Sequence, residues 1–223
     1  MVWQKFSFHV GIGLLKTAQP LLHGLTADVK PDIMTSKEDE KMSACIEKFR
    51  MPRYREIPDV GLYLDQTVKY VNRYLAPLGC MEITSSMVSN YVKKGYISNP
   101  VRKQYDAEQI AYLFFISVAK SVLSMDNIAR LFDMQKKMYN AEIAYDFFCE
   151  ELENMLQYTF GLKDHADEVG TPEDKSETKT MLRSTIIAVT HIIYLSNRFE
   201  TMKNPAAPTD DPGRMCLPEE NDR

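Results

Sequence analysis

A group of short polar side chains and cations lies between residues 85 and 103. Its members are Ser85, Ser86, Ser89, Asn90, Lys93, Lys94, Arg102 and Lys103. Short hydroxyl and amide groups near the start of a helix can reach base edges in a DNA major groove. Lysine and arginine side chains near them can bind phosphates. The types and spacing of these residues favour binding of double-stranded DNA.

The charge of the chain is separated along the sequence. The whole chain has 27 Lys+Arg and 31 Asp+Glu, a formal charge of −4. Residues 82–105 carry four cations and one acid, whereas residues 140–177 carry two lysines and eleven acids. The overall charge excludes a polybasic protein that binds nucleic acid by charge alone, but it leaves a local basic face. Four phosphate-binding cations per subunit of a dimer predict a salt slope of roughly −5 to −7.

Each of these residues also has a simpler interpretation. Lys93 and Lys94 fit a solvated helix end, where the helix dipole favours cations. The three serines fit capping and surface positions. The nearby rings of Tyr91, Tyr96 and Tyr105 fit a core better than a platform for stacking bases.

Apolar residues at helical spacing predict a mainly α-helical chain. The predicted helices cover 35–49, 62–78, 85–94, a segment capped by Asp106, a segment capped by Ser124, 140–158 and 179–202. Thr35 and Glu38 form a capping box at the first of them, and Thr84 or Ser85 caps the third. An acidic loop is predicted over 161–177.

A small β-hairpin with a basic tip is predicted directly after the helix at 85–94. Gly95 ends that helix as its C′ residue. Tyr96 and Ile97 are then expected to be extended, Asn99-Pro100 to turn, and residues 101–105 to form the second strand.

The last predicted helix has two apolar stripes. One consists of Leu182, Ile186, Val189 and Ile193, and the other of Ala188, Ile192, Leu195, Phe199 and Met202. Because a helix that is apolar on two faces needs two partners, the second stripe is expected to meet a second subunit.

The order of these segments resembles the winged helix-turn-helix of MerR-type transcription regulators. The matching residues are Tyr91, Gly95-Tyr96-Ile97, Pro100, Arg102, Tyr105, Leu113, Ser124 and Ile128. The resemblance implies a DNA-reading helix at 85–94 and a basic wing at 101–105. It also implies a role in transcriptional control.

Residues from Pro52 to about Tyr158 more closely resemble a bacterial family of unknown function for which DNA binding has been suggested. The motifs are Leu62-Tyr63-Leu64-Asp65-Gln66, Thr84 to Tyr91, Lys103-Gln104-Tyr105 and Leu123 to Ile128. This resemblance implies a fold more directly than it implies a target.

Motifs of other functional classes are missing from the sequence. The four histidines lie far apart without an HExxH motif, and no G-x-S-x-G motif occurs, so we expect no catalysis. Four scattered cysteines without a CxxC pair argue against a zinc site and favour reduced thiols in the cytoplasm. We expect no cofactor or metal, and the sequence identifies no small-molecule ligand. Residues 6–15 are a weak signal-peptide mimic, and no apolar run approaches a membrane span.

Four regions follow from these patterns. Residues 1–51 are predicted to be a partly disordered leader with a short helix, and 52–135 a MerR-like winged-helix domain that binds DNA. Residues 136–203 are predicted to be a helical pair that can dimerise, and 204–223 a disordered tail. A competing hypothesis keeps the fold but makes the protein a helical adaptor that binds other proteins through the second stripe of the last helix.

Overall fold

The computed structural model describes residues 37–79, 81–171 and 173–203. Within them it has seven α-helices and one antiparallel sheet of two short strands. The helices are α1 Lys37–Lys48, α2 Leu64–Leu75, α3 Ser85–Lys93, α4 Ala107–Ala119, α5 Met125–Met138, α6 Ala141–Thr159 and α7 Glu177–Lys203; the strands are β1 Leu62–Tyr63 and β2 Gln104–Tyr105. The prediction of a mainly α-helical chain is confirmed. The predicted Thr35 cap, most of the leader and the tail lie outside the described residues.

Four of the helices begin at a residue whose side chain caps the helix N-terminus. Thr84, Asp106, Ser124 and Asn140 each accept a hydrogen bond from the backbone N–H three residues on. These bonds satisfy donors that have no partner inside the helix. The predicted caps Asp106 and Ser124 are confirmed, and Thr84 rather than Ser85 caps α3.

The predicted hairpin between Tyr96-Ile97 and residues 101–105 is wrong. Gln104 and Tyr105 instead pair with Tyr63 and Leu62, which precede α2. The Tyr96 N–H already bonds the Tyr91 carbonyl at the end of α3, with an N···O distance of 3.0 Å. Since that donor is used locally, the segment after Gly95 does not form a strand.

The helix predicted over 62–78 is shorter in the structure. Leu62 and Tyr63 are a strand, because their backbones pair with β2. The α-helix ends at Leu75, and a 3₁₀ turn follows over Ala76–Leu78 with a proline near its start. Proline cannot donate the i→i−4 bond, so the last turn tightens there.

The buried apolar residues form one cluster that draws on all seven helices and β2. Phe114 on α4 and Phe148 on α6 are the largest side chains that are almost fully buried. On α7 the first predicted stripe is buried at Ile186, Val189 and Ile193. The second stripe stays open, with large exposed side chains at Leu195, Phe199 and Met202.

The cysteines differ in part from the expectation of reduced thiols. Cys45 on α1 is disulfide-bonded. Cys149 on α6 is free and buried, and burial raises the pKa of its thiol. Among the described helices, none combines the length and the apolar character that a membrane span requires.

Candidate nucleic-acid interface

The exposed face of α3 carries four of the eight polar residues singled out in the sequence. Ser86, Ser89, Asn90 and Lys93 are exposed at spacings that place them along one side of the helix. Val88 and Tyr91 on the opposite side are buried in the core. The helix therefore presents short polar groups to solvent from a side that packing holds in place.

Ser85 differs from its neighbours, because it is half-buried and already engaged. Its hydroxyl donates a hydrogen bond to Asp65 Oδ1 at 3.0 Å, which ties the start of α3 to the first turn of α2. Ser89 Oγ donates to the carbonyl of Ser85 at 2.8 Å, within the helix. Ser85 thus connects two helices, whereas Ser86 is exposed and its hydroxyl shares a hydrogen bond with the Thr84 hydroxyl at 2.9 Å.

Asn72 of α2 fixes the segment that leads into α3. Its Nδ2 donates to the Ile83 carbonyl and its Oδ1 accepts from the Ile83 N–H, both at 2.9 Å. Lys120 Nζ donates to the neighbouring Glu82 carbonyl at 2.6 Å. One residue before the cap of α3, the backbone is therefore held by both its donor and its acceptor, which sets the angle between α2 and α3.

The end of α3 is a Schellman motif centred on Gly95. This glycine has a φ of +75°, the Gly95 N–H bonds the Val92 carbonyl, and the Tyr96 N–H bonds the Tyr91 carbonyl. Lys93 and Lys94 stand directly before it and are exposed. The predicted role of Gly95 as the C′ residue is confirmed.

Two side chains from the helical body hold the segment between α3 and β2. The Tyr96 hydroxyl donates to Asp126 Oδ1 at 3.0 Å, and this hydrogen bond is the main reason that the pKa of Tyr96 is raised. Gln109 Nε2 donates to both the carbonyl and the hydroxyl of Ser98, at 2.8 and 3.0 Å. The segment follows α4 and α5 closely, although it forms no strand.

Arg102 and Lys103 occupy the two central positions of a tight turn between Val101 and Gln104. Their φ angles are +52° and +66°, and the Gln104 N–H bonds the Val101 carbonyl at 2.9 Å. Positive φ at both positions is the pattern of a type I′ turn, which favours Asn-Gly. A side chain at such a position costs about 1 kcal/mol or more, so two long cations are held here against the backbone preference.

One exposed aromatic residue beside this turn was missed by sequence reasoning. Tyr63 lies opposite Gln104 in the sheet and is 53% exposed. Val101, which also pairs with Gln104, is 72% exposed and lies on the same face of the ribbon. The one signal for this strand is Gly61, where an added Cβ would lie 3.1 Å from Gln104 Cβ.

Four cations of this region, Lys93, Lys94, Arg102 and Lys103, are exposed and make no ion pair within the described part of the chain. Several cations elsewhere are paired, such as Arg53 with Glu153 at 2.7 Å and Arg55 with Glu142 at 2.6 Å. The positive charge near α3 is thus available to an anionic partner. We name Ser86, Ser89, Asn90 and the four cations the basic face. No three His, Cys, Asp or Glu side chains in the described segments are placed to hold a metal ion.

Comparison with known proteins finds one family that the middle of the chain resembles. Residues 52–149 match the model of a family described as Domain of unknown function (DUF1836). This segment resembles that family. The matched residues are most of the stretch from Pro52 to about Tyr158 that resembles a family of unknown function in the sequence. The family description names no activity and no partner. No curated protein and no solved structure matches the chain significantly.

Proposed function

We propose that the protein binds double-stranded DNA and acts in transcriptional control, as a MerR-like winged helix-turn-helix protein. The observation that carries this proposal is a set of four exposed cations without an ion pair among the described residues, two of which stand at the end of an exposed row of short polar side chains on α3. An acidic body would repel DNA elsewhere, so binding is directed to the basic face.

The contacts between α2, α3 and the sheet support this arrangement. Both α3 and β2 contact α2, and Asn72 and Asp65 of α2 hold the start of α3. In helix-turn-helix proteins the second helix enters the major groove. Here that helix would be α3, and the turn at 101–104 would serve as a very short wing.

The residues take different roles in this proposal. Ser86, Ser89 and Asn90 are short enough to approach base edges. Lys93 and Lys94 at the end of α3, together with the cations of the turn, contact phosphates. Ser85 positions α3 through Asp65, and Tyr63 and Val101 add apolar contact beside the turn.

Selection from a random duplex library, with stepped salt, tests the proposal. We expect enrichment of a short site and an affinity that falls steeply with salt. The Lys93→Glu/Lys94→Glu variant is expected to lose about 100-fold in affinity, because it replaces two phosphate contacts by two repulsions.

The matched control is Lys137→Glu/Lys175→Glu, which makes the same change in net charge at exposed positions outside the basic face. It should keep most of the wild-type affinity. Equal losses in the two variants would show binding by net charge alone, and the absence of any enriched sequence would overturn the proposal.

A second candidate is a helical adaptor that binds proteins without DNA. It is favoured by the exposed second stripe of α7, where Leu195, Phe199 and Met202 lie together with half or more of their surface in solvent. Their spacing alternates between three and four residues, as in a coiled-coil seam. Two results together would favour the adaptor. Leu195→Glu/Phe199→Glu would abolish self-association in light scattering, and both the wild type and this variant would bind DNA weakly and without sequence preference.

A further inference from the structure

A cavity of about 590 Å³ lies between α4, α5, the first turns of α6 and the start of α7. None of the ten residues proposed to contact or position DNA lines it. Its volume lies within the roughly 300–1,000 Å³ that is typical of small-molecule sites. The cavity is thus large enough for a ligand of several fused rings.

Aromatic rings form one wall of the cavity. The rings of Tyr112 and Phe132 lie with centroids 4.5 Å apart, and Phe115 stands 5.5 Å from Phe132 and 5.2 Å from Phe148. All four line the cavity. Such a wall offers flat apolar surface, although Lys136 Nζ already lies over the Tyr112 ring, 5.1 Å from its centre.

The acidic loop after α6 also lines the cavity, and hydrogen bonds hold it there. Lys179 Nζ donates to the Thr171 carbonyl at 2.8 Å and lies 5.6 Å from the centre of the Phe147 ring. The Tyr139 hydroxyl bonds both Asp174 and the Ser176 hydroxyl. These bonds keep the loop in place beside the cavity.

The polar groups around the cavity are mostly acidic. Four carboxylates and two cations line it, a formal charge of −2; they are Glu142, Asp146, Glu150, Asp174, Arg55 and Lys179. Glu142 pairs with Arg55, Asp146 accepts from the Tyr54 N–H, and Asp174 is held by Tyr139. Glu150 is exposed and has no hydrogen bond or ion pair among the described residues.

We propose that this cavity binds a small lipophilic cation, with a flat aromatic body against Tyr112 and Phe132 and a positive group near Glu150. Arg55 and Lys179 leave a formal charge of −2 around the cavity, which disfavours an anion, and Glu150 is the lining carboxylate that has no hydrogen bond or ion pair among the described residues. A neutral ring would gain the apolar contacts alone. The cationic form of one ring system therefore binds most tightly.

Three pyrenes that differ in charge test this inference on the full-length protein without DNA, so the result is independent of the proposed function. They are 1-pyrenemethylammonium, 1-pyrenemethanol and 1-pyrenecarboxylate, and the polarity-sensitive pyrene emission reports binding. We expect the order cation, neutral, anion, with about tenfold between the first and the last. Stoichiometry should be one pyrene per chain.

Two variants locate the site. Ala111→Leu adds side-chain volume at a buried wall position and should abolish binding of all three pyrenes. Glu150→Gln should weaken only the cation, by about threefold. The matched control Glu47→Gln changes an exposed glutamate outside the cavity and should leave every affinity unchanged.

Several results would overturn the inference. They are no binding by any pyrene, an anion that binds as tightly as the cation, or equal weakening by Glu150→Gln and Glu47→Gln. If Ala111→Leu does not fold, as judged by circular dichroism, the glutamate pair alone decides. A stoichiometry of one pyrene per two chains that disappears on dilution would place the site between copies and contradict the assignment.

Discussion

Residues 62–105 and the helices α4–α7 differ in how much apolar packing supports their hydrogen bonds. In the first region, short elements are fixed by side chains that bond backbone groups, as Asn72 does at Ile83 and Thr84 does at Met87. In the second, long helices pack through buried aromatic and aliphatic side chains. On α6 the Tyr145 hydroxyl is buried without a hydrogen bond among the described residues, and the buried Glu151 carboxylate is paired with Arg183, whose Nε lies 2.8 Å from Oε1.

This difference follows from helix length. α3 has nine residues and the strands have two each, too few to bury much apolar surface, so directional bonds must set their positions. α6 and α7 have 19 and 27 residues and gain their stability from packing. Removing a hydrogen bond from residues 62–105 should therefore lower the free energy of unfolding more than removing a buried charge from α4–α7.

The largest effect is expected from Asn72→Ala. It leaves the donor and the acceptor of Ile83 without their partner, which should lower the free energy of unfolding by about 2 kcal/mol. Urea denaturation measures this change. Asn72→Asp keeps the acceptor for the Ile83 N–H but loses the donor, so its loss should be smaller. Wild-type stability in Asn72→Ala would break the contrast between the two regions.

A smaller effect of opposite sign is expected at the turn. Arg102→Asn/Lys103→Gly suits positive φ and should raise the free energy of unfolding by about 1 kcal/mol. The same variant should reduce the salt slope of DNA binding by about 2 per subunit, because two phosphate contacts are lost.

The control for the turn is Arg102→Gln/Lys103→Gln, which removes both charges but keeps side chains for which positive φ is unfavourable. It should weaken DNA binding equally and bring no gain in stability. A gain in both variants would show that charge repulsion, rather than backbone strain, is the cost at this turn.

An effect of similar size, which disappears at low pH, is expected from Glu151→Gln on α6. Burial raises the pKa of Glu151 above its ordinary value, and the nearby Arg183, with Nε 2.8 Å from Oε1, only partly opposes this. A raised pKa in the folded state means that the carboxyl favours folding below its unfolded pKa, and that this advantage is lost as pH rises through the folded pKa. The variant should match the wild type below pH ~4 and exceed it by about 1 kcal/mol at neutral pH.

Glu153 on the same helix provides the contrast for that measurement. Its carboxylate accepts hydrogen bonds from the Met51 N–H and from both Arg53 Nη atoms, each at 2.7 Å. Glu153→Gln should therefore destabilise the protein at neutral pH. Thermal unfolding at several pH values would contradict the interpretation if the two glutamine variants shifted in the same direction.

Capping residues and apolar spacing predicted the helices well, but they did not predict which strands pair. Thr84, Asp106 and Ser124 cap helices because their bonds reach only three residues along the chain. The pairing of Leu62-Tyr63 with Gln104-Tyr105 spans about forty residues and is encoded by no local pattern. The predicted turn at Asn99-Pro100 failed for the same reason, since Gln109 and Asp126 hold this segment from other helices.

The two candidate sites also differ in whether the sequence predicts them. The exposed polar face of α3 was readable from the sequence because helical spacing alone separates Ser86, Asn90 and Lys93 from the buried Val88 and Tyr91. The cavity was not, because its wall combines side chains from α4, α5, α6 and α7 that the sequence shows only as ordinary core residues.

The sequence by itself determined the helices, their caps, the +3 segment at 82–105 and the two stripes of α7, since each depends on the type and spacing of neighbouring residues. Only the tertiary structure decided which strand pairs with β2, that Ser85 is engaged by Asp65, and that Arg102 and Lys103 sit at positive φ. It also decided that a cavity lined by four carboxylates lies between α4, α5, α6 and α7. These features depend on contacts between segments distant in sequence, which packing of the whole chain selects.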